Sequence, residues 1–309
     1  MNNPSDQFAE TKPSRPAASL GTFQAVHFAR DGKQLPRKLG WGWGCIWVVG
    51  LALLVLGLYL FAPLRSNILI LGVDGGLGRS DLGRTDTIIL ATVSPLKPNV
   101  GMLSIPRDLW VMQMDGSENR INTAFFFAEA EKPGSGAHAT GQVVYKNFGI
   151  PVNYSIVLRM DGVVGIIDAL GGVDISLDQY NAGYQAGTHR LNGMQALAFA
   201  RDRSGSDDFG RMAQGQILLR GLLRELLKPA TWPQLPAFIA AVQDATQIDI
   251  PIWQWPRLGL ALLRAGPSGI DSRAITREMV TPFTTSGGAQ VLGPNWDAIR
   301  PVIIEMFGR

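Results

Sequence analysis

Thiol chemistry is nearly absent from this sequence, whose one cysteine is Cys45. That excludes an intrachain disulfide and any site built on clustered cysteines. Histidine is almost as scarce: His27, His138 and His189 are scattered, with no metal-ligand spacing. A bound metal would therefore be a hard cation held by oxygen. Charge is sparse too, at 17% of the 309 residues, and no basic surplus sits where a nucleic-acid binder needs one. The net +3 comes wholly from residues 1–40, which carry six cations against three acids and leave 22 of each sign beyond them. A formally neutral remainder with no helix-turn-helix pattern argues against nucleic acid as a partner.

Long apolar runs are missing as well, with one exception. Residues 41–63, "WGWGCIWVVGLALLVLGLYLFAP", carry no charge. As a helix this run extends about 30 Å, enough to cross a hydrocarbon core. Trp41, Trp43 and Trp47 crowd its start and Tyr59 lies near its end, as interfacial aromatics do. Arg37 and Lys38 stand just before it, so the positive-inside rule puts the N-terminus in the cytoplasm and the chain from Arg65 outside. The run exceeds a signal-peptide core and no A-x-A site follows, which favours a retained anchor over a cleaved signal. The expected layout is a disordered cytoplasmic tail over 1–40, a transmembrane helix over 41–63 and an extracytoplasmic domain over 65–309. Such a chain is a single-pass, type II protein of the cell membrane.

Within 65–309 the pattern is mixed. "NILILGV" (67–73) is a short continuous apolar run, the mark of a strand buried on both faces. "TIILATVS" (87–94) and "NVGMLSI" (99–105) flank a turn at Pro95–Pro98 and predict a hairpin beside it. "EKPGSGAHATG" (131–141) reads as a flexible loop. "NYSIVLRM" predicts a strand and "DGVVGIIDALGG" a helix, capped by Asp161 and stopped at Gly171–Gly172. "LNGMQALAFAR" (191–201) has helical spacing with Leu191, Met194, Leu197 and Ala198 on one face. A second helix follows from Arg211, with Ile217, Leu218, Leu222 and Leu226 as its apolar face. Three more helical stretches fill 229–309. The fold class expected is α/β, one mixed central sheet flanked by helices.

Chemistry-bearing residues gather in three places. In "GVDGGLGRSDLGRTDTI" (72–88), Asp74 sits at the C-terminal edge of a buried strand, where ligand sites in α/β sheets lie. Asp86 leads into the next strand. Two such carboxylates suit one Mg²⁺, which takes one or two carboxylates plus phosphate oxygens and water; the same acids would also serve as turn caps. No G-K-[ST] follows the glycines, so this is not a nucleotide-binding P-loop. In "IPRDLW" (105–110) a strand projects Arg107, the side-chain type suited to bidentate phosphate recognition. In "ARDRSGSDDFGRMAQGQ" (200–216), Arg201 and Arg203 leave one helix while Arg211 enters the next, with Asp207 or Asp208 available as its cap. A helix N-terminus attracts anions through its free N–H groups and dipole.

Asn67–Asp74, "GRTDTI", "MLSIPRD", "RINTA", "GIPVNY", "DGVVGIIDALGGV", "LNGMQALAFAR", "DFGR" and the final "GPNWDAIRPVI" occur in order. Together they resemble the LytR-CpsA-Psr family of cell-envelope proteins over about residues 65–309. The resemblance implies a Mg²⁺-dependent phosphotransferase that takes a glycopolymer from a polyprenyl pyrophosphate carrier and attaches it to peptidoglycan. It implies Asp74 and Asp86 as metal ligands. Arg107, Arg201, Arg203 and Arg211 match phosphate-contacting positions, and Arg84 flanks the metal. It further implies an apolar tunnel for the polyprenyl chain between sheet and helices. Asp74, Asp86 and Arg107 are the residues expected to carry the reaction, in which charge neutralisation matters more than covalent help. One departure stands out. Where the family often has Arg and Gln three and four residues after "DFGR", this chain has Gln214 and Gly215. Gln214 is then expected to do part of the missing cation's work. The competing expectations are hydrolysis of the lipid pyrophosphate at the same site, and a non-catalytic envelope regulator of the transcriptional-attenuator type.

Overall fold

The computed structural model describes residues 41–61, 65–74, 83–94, 99–202 and 208–308. The uncharged N-terminal run forms helix α1, Trp41–Phe61, 21 residues long. Its side chains are described from Cys45 onward, and over the described residues no helix is long and apolar enough to cross a membrane. The chain divides into compact units after Leu51, and the larger, Ala52–Arg309, holds the sheet.

The strand-like runs become β1 (Ser66–Val73), β2 (Thr85–Ser94) and β3 (Asn99–Ser104). A short hairpin, β4 (Trp110–Met112) and β5 (Glu118–Arg120), leads to helices α2 (Thr123–Glu131) and α3 (Gly136–Phe148). Then come β6 (Tyr154–Arg159), α4 (Val163–Ala169), the hairpin β7 (Val173–Leu177) with β8 (Gly187–Leu191), and α5 (Gly193–Arg201). Helix α6 (Asp208–Leu226) precedes α7 (Leu235–Ala245), β9 (Thr246–Ile248) and α8 (Trp255–Ala265). The chain ends with β10 (Ile270–Ala274), β11 (Val280–Thr284), β12 (Gln290–Pro294) and α9 (Trp296–Phe307).

One six-stranded sheet, ordered β10-β3-β2-β1-β6-β9, forms the middle layer. β2 runs antiparallel to both β1 and β3, while β6 lies parallel to β1 and β10 parallel to β3, so the sheet is mixed as expected. Side chains alternate across it. Leu69, Leu71, Ile88 and Leu90 pack with Phe125, Val144, Ile299 and Ile303 from α2, α3 and α9. Ile68, Ile89, Ala91 and Met102 face the other way, against α8 and the leucines of α6. Burial on both faces is why these strands read as unbroken apolar runs. Truncating a fully buried leucine such as Leu69 or Leu90 to alanine removes about 2–5 kcal/mol.

Several local expectations change. Residues 131–141 are mostly helix, because the Gly- and Ser-rich stretch starts α3 rather than a loop. The Glu129 carboxylate accepts from the N–H groups of Gly134 and Gly136, and Gly136 packs so close to Phe125 that a Cβ would lie 2.7 Å from its ring. Asp161 does not cap α4: it sits in a 3-10 turn before that helix, and no side chain caps either start. Gly171 does end α4, in the left-handed region at φ 74°. α5 is capped at its start by Asn192, whose side chain forms a reciprocal capping box with Gln195. Its buried face is Ala196, Leu197 and Phe199, whereas Met194 is 65% exposed and Ala198 is exposed. The turn expected at 95–98 lies outside the described residues.

Candidate active site

Two adjacent strands bring the acids together. β1 and β2 pair regularly until Gly72 meets Thr87; the next partner of Val73 is Thr85. Asp86 is therefore an extra residue on β2, a bulge that bends the strand and re-aims its side chain. Asp74 follows the last residue of β1, so both carboxylates emerge at one end of the strand pair. Val73 and Thr85, both buried, anchor the backbone on either side.

Cations reach these acids from three elements. Arg107 lies three residues beyond β3, and its Nη1 donates to Asp86 Oδ1 at 2.6 Å. The same guanidinium donates through Nε to Asp108 Oδ2 at 3.3 Å, and Arg120 Nε stands 3.0 Å from Asp108 Oδ1. Arg120 in turn donates to the Gln290 carbonyl at 2.8 Å, which ties this chain of charges to β12. Arg201, the last residue of α5, donates to Asp74 Oδ1 at 2.8 Å. Arg211 stands in the first turn of α6, where the helix dipole adds to its charge. Arg84 takes a different position, with its guanidinium over the Phe126 ring, 5.6 Å from the centroid.

A cavity of about 270 Å³ opens among Asp74, Asp86, Thr87, Arg201 and Arg211. A second, almost wholly apolar cavity of about 110 Å³ lies between the sheet, α4 and α6, lined by Ile70, Ile89, Ile166, Leu218 and Leu222. Thr87, Met160, Ala200 and Gly215 line both. The charged cavity and the apolar one thus share a wall.

Four of the expected site residues, Asp74, Asp86, Arg201 and Arg211, meet in one cavity, and Arg107 joins through Asp86. Arg203 lies outside the described residues, as do Asp207 and the side chain of Asp208. Gln214 does not line the cavity: it is 1% exposed and its amide donates to Asn181 at 3.1 Å. Its neighbour Gly215 does line it, a position that sequence reasoning noted only as a gap. Asp108 and Arg120 were legible as charges but not as braces of Arg107. Among the described residues no group of three or more His, Cys, Asp or Glu could hold a metal, so the donor set amounts to the two aspartates. Each has one oxygen on an arginine. Two hard oxygen donors of this kind fit Mg²⁺ completed by phosphate and water, and do not fit zinc.

The LytR_cpsA_psr family profile matches residues 64–299. The chain belongs to that family. It is 28% identical over 204 residues to the polyisoprenyl-teichoic acid–peptidoglycan teichoic acid transferase TagU of Enterococcus faecalis, covering 63% of this chain and 64% of that protein. Identity with TagU of Bacillus cereus is 32% over 194 residues, 60% of each chain. The family member described here thus spans 60–64% of the length of these relatives. Among solved structures, gbs0355 of Streptococcus agalactiae superposes with a TM-score of 0.66 at 22% identity, over 82% of this chain and 91% of that one. TagV of B. subtilis gives 0.65 at 23%, over 80% and 98%. At these identities the likeness establishes the fold: a mixed α/β domain of the LytR-CpsA-Psr type.

Proposed function

We propose that the protein is a Mg²⁺-dependent phosphotransferase, held in the cell membrane by α1, that moves a glycopolymer from a polyprenyl pyrophosphate carrier to peptidoglycan outside the cell. The observation that carries this reading is the shared wall between a cavity of paired Asp and Arg and an apolar cavity. A lipid diphosphate has that division, a doubly charged head on an apolar tail. The transferase names of the TagU relatives support the reaction class. The absence of any acidic or basic residue in the end turns of α1 supports the anchor.

On this reading the two ion pairs are provisional. An arriving diphosphate draws Arg107 and Arg201 from their carboxylates to its own oxygens, which are better bidentate partners. Asp86 and Asp74 are the residues that would hold Mg²⁺, which when bound would supply positive charge at the phosphate oxygens. Arg211 and the first turn of α6 add further positive potential. An acceptor hydroxyl then attacks the sugar-proximal phosphorus. The new P–O bond forms as the bond to the bridging oxygen breaks, the hydroxyl's proton passes to solvent, and polyprenyl phosphate leaves. Arg84 and Arg203 complete the proposed phosphate set; Gln214, tied to Asn181, does not enter it.

The test is turnover by the full chain in detergent, given a glycan on polyprenyl pyrophosphate, with and without peptidoglycan and with and without Mg²⁺. Glycan joined to peptidoglycan only when Mg²⁺ is present is the expected result. Glycan released at the same rate whether or not acceptor is present would make the protein a hydrolase instead. No turnover of the donor at all would favour a non-catalytic envelope role.

A further inference from the structure

Helix α6 carries Gly215 and Gly221 in its interior, where glycine is among the least favourable residues. Gly221 has a packing reason: a Cβ there would lie 2.6 Å from the carbonyl oxygen of Asp174. Gly215 has none of that kind. A Cβ at 215 would meet only Thr87 Cγ2, at 4.0 Å, which is ordinary van der Waals contact. Yet Gly215 stands in the wall common to the charged and apolar cavities. Its orientation is fixed from both sides. Gln214 is buried and bonded to Asn181, and Gln216 is buried with its amide on the carbonyl of Arg273 in β10. Residue 215 is therefore held at the junction, and it presents bare backbone.

We propose that Gly215 is a specificity-determining residue: it keeps open the passage through which the first isoprene units of a prenyl diphosphate run from the charged cavity into the apolar one. A glycine inside a helix against its propensity, with no neighbour to demand it, is what close approach of a ligand to a helix backbone requires. The inference rests on the lipid diphosphate reading of the site. It adds that head and tail are bound across α6 at residue 215, so the side chain there sets how thick a tail can pass.

The experiment compares full-length wild type with Gly215→Leu and Gly215→Ala, using geranylgeranyl diphosphate and inorganic pyrophosphate as probes, each with Mg²⁺. Gly215→Leu is expected to weaken geranylgeranyl diphosphate binding by about tenfold or more, as filling a tight apolar passage does, and to weaken pyrophosphate binding much less, although residue 215 also lines the charged cavity. Gly215→Ala should show the same preference to a smaller degree. A melting temperature at or above that of wild type, expected from the gain in helix propensity, rules out collapse of the fold as the cause. If Gly215→Leu melts early, the alanine variant decides by the same comparison of probes. Equal loss of both probes, or no loss of either, overturns the role of Gly215 while leaving the lipid diphosphate site standing. Failure of wild type to bind either probe overturns both.

Discussion

The two ends of α6 use the same kinds of side chain for different ends. At its C-terminal end Glu225 is almost fully buried, with 3% of its side chain exposed, and it accepts from Arg190 at 2.9 Å and Lys228 at 2.6 Å. Both cations also hold Asp174 of β7, at 3.0 and 2.5 Å. These contacts clamp the β7–β8 hairpin to the helix. At the N-terminal end no carboxylate is buried to that degree: Asp74 and Arg201 are each 43% exposed, and Asp86 with Arg107 are 28% and 25% exposed, much like Arg190, Lys228 and Asp174 at the other end, so the two clusters differ in Glu225. An exposed pair such as Asp74–Arg201 contributes about 0–1 kcal/mol, so stability does not account for it. The first cluster is built around one buried carboxylate, whereas Asp74, Asp86 and Arg201 line a cavity. The burial of one carboxylate, Glu225, and the cavity beside Asp74 and Asp86 separate the structural network from the candidate site.

The largest expected effect breaks the buried end. Replacing Arg190 and Lys228 together by methionine leaves the Glu225 carboxylate buried without a cation, which should remove about 3–5 kcal/mol of stability in a denaturant melt. Turnover per folded molecule should stay near that of wild type. The converse comes next. Asp86→Asn should lower turnover by about 10²–10³-fold, the scale of losing one preorganised electrostatic group, and shift the melt by less than about 1 kcal/mol. Asp108→Asn loosens Arg107 without touching the cavity. We expect about a 10–100-fold loss of turnover, as for outer-shell partners elsewhere, with Asp108→Glu restoring part of it.

The smallest effect is in pH. Lys228, and after it Arg190, hydrogen-bond the Asp174 carboxylate and hold it below its ordinary value of 3.8. A depressed carboxylate adds stability that is present above its unfolded pKa and is lost as pH falls through the folded one. Lys228 is shifted the other way, above 10.5, chiefly by its hydrogen bond to Asp174. Its contribution is full below that value and lost as pH rises through the folded pKa. Melting temperatures from pH 6 down to about pH 3 should fall more steeply for wild type than for Lys228→Met.

The central strands were legible because burial on both faces leaves an unbroken apolar run, as in "NILILGV". The edge strands were not. β9 is three residues of Thr-Gln-Ile and β10 carries Asp271 and Arg273, so neither has a pattern of its own and both form only by pairing. α6 was found, but its buried face includes Gln214, Gln216 and Glu225, polar residues that bond to partners distant in sequence. At the site, Asp74, Asp86, Arg201 and Arg211 could be read as types suited to metal and phosphate. What brings them together is the bulge at Asp86 and the packing of α6 on the sheet, which no local spacing encodes.

The most direct measurement of the contrast is Mg²⁺-dependent binding of inorganic pyrophosphate to the full chain, compared with the Asp74→Asn, Asp86→Asn double variant. The account predicts that wild type binds pyrophosphate more tightly with Mg²⁺ than without, and that the double variant loses this dependence while its melting temperature barely moves. Binding in which neither Mg²⁺ nor the two carboxylates matter would contradict it.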